Sequence, residues 1–372
     1  MKDWIALNMT PGVGPRVATK LLEAFGSPEN VFHARRAQLE SLRIRSETIE
    51  SIMSRELDER AAVELERVKK LGGDILILDD GSYPQLLREI ADPPIILYVL
   101  GAWEACLTMP CVAVIGSRMC STYGTNAAEM LARDLASSGI CVISGLARGI
   151  DTTAHRGAMR GNGKTVAILG TGIDGAYPKE NMRLINEILA SGGAVVSQFP
   201  LGTPPLKDNF PYRNRIISGL SLGVLIVEAS ERSGSLITAR LAMEQNREVM
   251  AVPGNITSAN SYGTNYLIKS GAKLVQQWQD VVAELPGEIS AAILPPRVED
   301  ADAAARLDIP PADLDDQERK IWGLLPPDSP VHIDVLMELS GMSFGDLNRA
   351  LVALDIRDLI RVLPGKNYTR RI

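Results

Sequence analysis

Over the first 72 residues apolar positions recur every three to four residues between short turns, and no β-branched run interrupts them. That spacing predicts a small all-helical module over 1–72. From residue 73 to 285 the pattern changes to short apolar runs, each leading into a Gly-containing turn and then an amphipathic stretch. The runs at 75–78, 95–99, 112–115, 141–143, 166–169, 194–196, 224–227 and 249–252 read as strands. Strands that alternate with helices pair in parallel through crossovers, so the segment predicts a doubly wound, mostly parallel α/β sheet. Residues 286–312 carry Pro286, Pro295, Pro296, Pro310 and Pro311 among Ala and acidic residues and read as a semi-rigid linker. Helical spacing resumes over 313–372 and ends in two short apolar runs flanking Pro364-Gly365, three helices and a hairpin that predict a winged helix.

Composition narrows the function classes. Apolar residues make up 45% and charged residues 23% of the 372 positions, the balance of a folded, soluble chain. The longest apolar runs, 94–101 and 223–227, are far below the ~20 residues needed to span a bilayer. Met1-Lys2-Asp3-Trp4 opens no export signal, so a cytoplasmic protein with no membrane partner is expected. Cys106, Cys111, Cys120 and Cys141 form no Cys-x-x-Cys pair, and His33, His155 and His332 are scattered, so neither a metal site nor a thiol nucleophile is expected. The net charge of −6 is uneven: residues 111–272 hold 15 Lys+Arg against 11 Asp+Glu, net +4, which leaves −10 for the rest. A positive middle between acidic flanks permits a local anion site that the whole-chain charge hides.

Ligands of an open parallel sheet collect where Gly-rich turns follow the carboxyl ends of strands. Four such turns are present: Gly116-Ser117-Arg118, Ser144-Gly145-Leu146-Ala147-Arg148-Gly149, Gly170-Thr171-Gly172 and Ser233-Gly234-Ser235. None is a Gly-x-Gly-x-x-Gly dinucleotide turn, and Gly163-Lys164-Thr165 precedes a strand instead of following one, so no nucleotide cofactor is expected. Lys207 to Ile217 is the densest stretch, with Lys207, Phe210, Tyr212, Arg213, Asn214 and Arg215 interleaved. Rings beside spaced cations suit an unpaired strand, whose bases stack while Lys and Arg hold phosphates. The same residues are also compatible with a core Phe210 and with arginines paired to Glu228 or Glu231. In the helical module, Pro11-Gly12-Val13-Gly14-Pro15 separates helical stretches at 4–9 and 16–25, near Arg16 and Lys20. Such a hairpin either offers free N–H groups to a phosphate or merely makes a tight turn.

The ordered motifs closely resemble one family. Val114-Ile115-Gly116-Ser117-Arg118 with Tyr123-Gly124, and Ser144 to Asp151 with Ala154-His155, are similar to the DprA/Smf family (DNA processing protein A). So are Tyr177-Pro178 with Asn181, Phe210-Pro211 with Arg213 to Ile217, Ser233-Gly234-Ser235 with Thr238-Ala239, Val252-Pro253-Gly254 and Gly263-Thr264-Asn265. The likeness is dense over about 75–275 and looser at both ends. It implies an extended Rossmann-like domain between a helix-hairpin-helix or SAM-like module and a winged helix. It further implies a non-enzymatic, homodimeric single-stranded DNA-binding protein of natural transformation that protects incoming strands and loads RecA recombinase. By position, Arg118 and Lys207 would contact phosphates and Phe210 would stack on a base. Gly116, Ser117, Ser144, Gly145, Gly149, Ser233, Gly234 and Ser235 would supply backbone and hydroxyl donors, with Arg148, Arg213, Asn214 and Arg215 around the same pocket. Asp151 and His155 would serve turn and helix architecture. One departure is Ser197-Gln198, where the family usually has Ser-Glu; it would remove a negative charge from the pocket rim.

Two other classes compete. A Rossmann-like nucleotide N-glycosidic hydrolase would need a Pro-Gly-Gly-x-Gly-Thr-x-x-Glu loop, whereas Pro253-Gly254-Asn255 and Gly263-Thr264 stand apart without the Glu. An adaptor that reads duplex DNA through its winged helix would need cations on the recognition helix. Residues 313–372 hold 8 Lys+Arg against 10 Asp+Glu, and the segment around 345–354 carries only Arg349. That module is expected to contact protein, or duplex DNA weakly.

Overall fold

The computed structural model describes residues 1–294, 310–311 and 313–371. Its centre is a nine-stranded sheet formed by β1 (Asp74–Ile77), β2 (Ile96–Gly101), β3 (Cys111–Ile115), β4 (Cys141–Ser144), β5 (Thr165–Ile168), β6 (Ala194–Ser197), β7 (Gly223–Ile226), β8 (Glu248–Ala251) and β9 (Lys273–Leu274). The order is β1-β2-β6-β5-β4-β3-β7-β8-β9. From β6 to β9 every pairing is parallel, and the direction of winding reverses between β3 and β7. That reversal opens a crevice beyond the carboxyl ends of the two strands.

The central strands read as unbroken apolar runs because both faces of the sheet are covered. Along β3, Val112 and Val114 pack under the helices Thr122–Ser137 and Ile150–Arg160. Ala113 and Ile115 pack on the opposite face, with residues of Asn209–Gly219 and Gly234–Glu244. The amino-terminal helices are not a separate bead. Ile5, Leu7, Leu21, Leu39 and Ile52 share one core with Ile96, Tyr98, Ala167 and Val195 of the sheet.

All eight expected strands are present within two residues of their expected bounds at each end, and β9 is an addition. β2 is antiparallel to both β1 and β6. The 78–95 connection contains only the four-residue helix Gln85–Arg88, too little to form a face-covering crossover, and the chain returns against itself. Within the segment expected to be a linker, Gly287–Ile293 is a helix whose Ile289 and Ile293 pack on the core. Residues 295–309 and 312 of that linker lie outside the described residues.

The carboxy-terminal part has helices Asp316–Leu324, Ile333–Ser340 and Phe344–Ile356 and a three-stranded sheet that contains the hairpin Ile360–Leu363 and Asn367–Arg370. It rests on the helix Thr122–Ser137, where Glu129 pairs with Arg361 and Arg371 and Asn126 donates to the Pro327 carbonyl. Among the described residues no helix is long and apolar enough to cross a membrane, and no group of His, Cys, Asp and Glu is arranged to hold a metal ion.

His155 lies fully buried beneath β4 and β5. Its Nδ1 is 2.7 Å from the Thr165 hydroxyl, which itself donates to the Val142 carbonyl, so Nδ1 carries the proton. Burial, with a smaller contribution from Arg213, pushes the imidazole down to about 3. The unfolded chain therefore takes up this proton first as pH falls from about 6.5. Stability present above that pH should decline by roughly 1.4 kcal/mol per pH unit between 6.5 and 3. Urea unfolding at several pH values should show this slope in the parent and a flatter one in His155→Leu; equal slopes would contradict the assignment.

Candidate functional site

The turns after β3, β4 and β7 and the first turn of the helix Asn209–Gly219 meet at the crevice. They line a cleft of about 420 Å³ that contains Gly116, Ser117, Arg118, Met119, Lys207, Phe210, Arg213, Asn214, Ser233, Gly234 and Ser235. Glycine permits the close packing of these turns. A Cβ on Gly116 would stand 2.8 Å from the Glu228 carbonyl, and one on Gly149, at φ +74°, only 2.3 Å from that of Ser117.

Phe210 is half-buried at the wall. The Arg118 guanidinium lies 5.7 Å from its ring centroid, and the Tyr177 ring lies 5.2 Å away at 45°. Behind it, Gly170 leaves room for the ring, since a Cβ there would reach Cδ1 at 2.9 Å. Asn209 anchors the start of the helix by donating to the Gly170 carbonyl at 3.1 Å. Arg118 and Lys207 are exposed and, among the described residues, in no salt bridge, so both cations are available at the cleft. Phe210 is therefore neither sealed in the core nor separated from the two cations.

Arg213 is different. It is 3% exposed and forms the floor, donating from Nη1 to the Gly145 carbonyl at 2.8 Å and to the Ile168 carbonyl. Burial pulls it down to about 10, still charged at neutral pH. Asp151, also buried, packs with Arg213 against the Cβ face of Gly145 and accepts from the Gly145 and Ala147 amides at 3.2 and 3.3 Å. Desolvation pushes its carboxyl up, opposed first by Arg213 and then by the Ala147 amide.

Several expected site residues are placed elsewhere. Ser144 is fully buried and donates to the Val114 carbonyl at 2.7 Å, stitching β4 to β3. The turn after β4 does not offer its Gly145 and Ala147 amides to a ligand, because a buried N–H needs a partner and Asp151 supplies it. Gly149 packs against the Ser117–Arg118 backbone and supports the loop from behind. Arg148 stands at the rim of a small adjoining pocket beside Tyr177, exposed and paired with Glu180 at 2.5 Å. Arg215 turns to the other side of its helix, where it is 3% exposed, donates to Gln198 at 2.5 Å and approaches Asp92 at 3.7 Å. Gln198 is accordingly not on the cleft rim; it faces the amino-terminal module, and its missing carboxylate changes the surroundings of Arg215 instead. Neither Glu228 nor Glu231 pairs with the arginines. Glu228 is buried and accepts from the Ser121 amide at 2.8 Å and hydroxyl at 2.5 Å. Tyr177, 44% exposed against Phe210, is a candidate that the reading of residues did not select. Its signal is the Tyr177-Pro178 motif, but the 32 residues between Tyr177 and Phe210 conceal the contact.

Exposed cations, a half-exposed ring and a capped helix N-terminus share one open cleft. Ser233 caps the helix Gly234–Glu244, and its side chain accepts from the Ser235 amide. The arrangement suits an extended polyanion that carries planar bases. The sequence profile of the DNA recombination-mediator protein A family matches residues 74–286, and that of the DprA winged helix domain matches 305–366. Protein Smf of Synechocystis is 33% identical over 99% of this chain and 98% of its own length. DNA processing protein A of Streptococcus pneumoniae has a crystal structure that superposes with a TM-score of 0.68 at 37% identity, covering 77% of this chain and 98% of that one. A second solved relative is DNA processing protein A of Helicobacter pylori, described for its single-stranded DNA binding mode. It superposes with a TM-score of 0.51 at 31% identity, over 56% of this chain and 93% of that one.

Proposed function

The chain belongs to the DNA recombination-mediator protein A (DprA/Smf) family, and from that membership we propose that it is a non-enzymatic single-stranded DNA-binding protein of transformation and recombination. One observation carries the reading: Arg118 meets Lys207 and Phe210, which lie far along the chain from it, in a single cleft at the switch point of the sheet. In this reading Arg118 and Lys207 hold phosphates, Phe210 stacks on a base with Tyr177 behind it, and Ser117, Asn214, Ser233 and Ser235 donate or accept along the strand. Arg213 orders the floor. Homodimer formation and the loading of RecA onto the covered strand belong to the same proposal. The winged helix is assigned contacts with protein, since Arg349 is held by Asp346 at 3.6 Å and by Gln317.

A hydrolytic reading has less support. Asp151, the only carboxylate lining the cleft among the described residues, is buried near Arg213, and its Oδ2 is tied into the turn by the Gly145 and Ala147 amides. These contacts give the carboxylate a structural role in closing the turn, and no histidine or second carboxylate lines the cleft beside it among the described residues.

Titration of single-stranded and duplex oligonucleotides at two salt concentrations tests the proposal. Duplex should bind far more weakly, because a paired base must be unstacked before it reaches the ring. Arg118→Ala and Lys207→Ala should each weaken binding and flatten the salt dependence by about 0.7 log units per lost phosphate contact. Parental affinity and slope in both variants would place the strand elsewhere.

A further inference from the structure

A second concavity, of about 590 Å³, lies in the amino-terminal module and plays no part in the trough. It is lined by the Gly12-Val13-Gly14 hairpin, by Arg16 and Lys20 of the helix Pro15–Phe25, and by Arg43 and Arg45 of the connection preceding the helix Ser46–Ser54. These four cations are exposed, and among the described residues none forms a salt bridge. Elsewhere in the same module Arg36, Arg55 and Arg67 are all paired with carboxylates. The carboxylate that does line the cavity, Asp92, lies 3.7 Å from the buried Arg215.

Two helix N-termini open into the cavity, and neither has a side-chain cap: Gly14 precedes one helix and Arg45 the other. Pro15 has no N–H and Thr48 donates to the Arg45 carbonyl, which leaves the Arg16 and Val17 amides of one helix and the Ser46 and Glu47 amides of the other at the positive ends of the helix dipoles. No side chain at Gly12 or Gly14 obstructs approach. The hairpin is held in shape from behind, where a Cβ on Gly12, at φ +81°, would collide with the Thr48 hydroxyl. Uncapped amides and unpaired cations around one opening constitute an anion site for which the fold supplies no internal occupant.

The helix Asn209–Gly219 stands between this cavity and the trough and lines both. Tyr212, 36% exposed, lines it and stands only two residues from Phe210 on the first turn of the helix Asn209–Gly219. Two residues on a helix point about 200° apart, so the two openings lie on opposite faces of this helix and a strand that joins them passes around its amino-terminal end.

We propose that this hairpin cleft is a second phosphate-binding site for the same unpaired strand, which continues from Phe210 across Tyr212 onto Arg16, Lys20, Arg43 and Arg45. The inference rests on the reading of the trough as the single-strand site.

The test uses the full chain and two oligothymidylates, of about six and about thirty nucleotides, the shorter matched to one site. A variant with Arg16, Lys20, Arg43 and Arg45 all changed to alanine should bind the long strand at least about tenfold more weakly, with a shallower salt slope, and the short strand as the parent does. The pair Arg43→Ala and Arg45→Ala, confined to an exposed loop, should show about half the change in slope. A control that removes Arg35, Arg60 and Lys70, which do not line the cavity, should leave both strands bound as in the parent. Unchanged long-strand binding, or an equal loss in the control, overturns the second site. If Phe210→Ala also leaves short-strand binding untouched, it is the trough reading that fails.

Discussion

Phe210→Ala is expected to cost about 1–3 kcal/mol of single-strand affinity, roughly 5- to 140-fold in Kd, with no change in salt slope. Stacking on a base contributes through contact area and dispersion, and a neutral ring displaces no counterion. The ring is already oriented for this. Gly170 leaves space behind it, Tyr177 packs 5.2 Å away, and the Arg118 guanidinium lies 5.7 Å from its centre. A base entering the cleft would meet a surface whose rotamer is set before binding, so little conformational entropy is lost on contact. Phe210→Trp should retain most of the affinity, whereas Phe210→Leu should lose most of it despite similar hydrophobicity. Fluorescence anisotropy with oligothymidylate at two salt concentrations distinguishes these outcomes. A Phe210→Ala variant that loses salt slope along with affinity would mean the ring acts by positioning Arg118 instead of by stacking.

Asp151→Ala should have the largest effect on folding, about 3–5 kcal/mol of lost stability in urea unfolding. Its carboxylate lies buried against the Cβ face of Gly145, as does the Arg213 guanidinium, and it closes the turn by accepting two amides. Removing it leaves both amides unsatisfied and a buried cation uncompensated, and each of these is costly in a low-dielectric interior. Asp151→Asn keeps an acceptor and should be milder. A double variant, Asp151→Ala with Arg213→Met, should be less unstable than the sum of its single changes, because the second change removes the uncompensated charge. Additive losses would show that the two groups are held by independent contacts.

The unpaired cations of the amino-terminal cleft extend the picture of the site beyond the sheet. A strand that occupies only the trough meets two exposed cations, Arg118 and Lys207. One that crosses Tyr212 meets four more. Affinity would then rise with strand length in two steps, and the amino-terminal module would act as part of the DNA path in addition to its share of the core.

Local sequence determined much of this protein. Continuous apolar runs marked the buried strands because a sheet covered on both faces tolerates no polar alternation. Gly- and Ser-rich turns after those runs located the carboxyl edge, and ordered motifs identified the family. What sequence could not separate were residues of one chemical type in different surroundings. Arg118, Arg213 and Arg215 look alike in a string of letters, yet one faces solvent over a ring, one lies beneath the floor, and one turns behind its helix toward Asp92. Ser144 and Ser233 likewise differ only in what folding places beside them: a strand carbonyl for the first and a helix N-terminus for the second. The direction of β2 and the contact between Tyr177 and Phe210 depend on pairings between distant segments. Burial and charge compensation arise only when those segments meet, so only the tertiary structure could assign them.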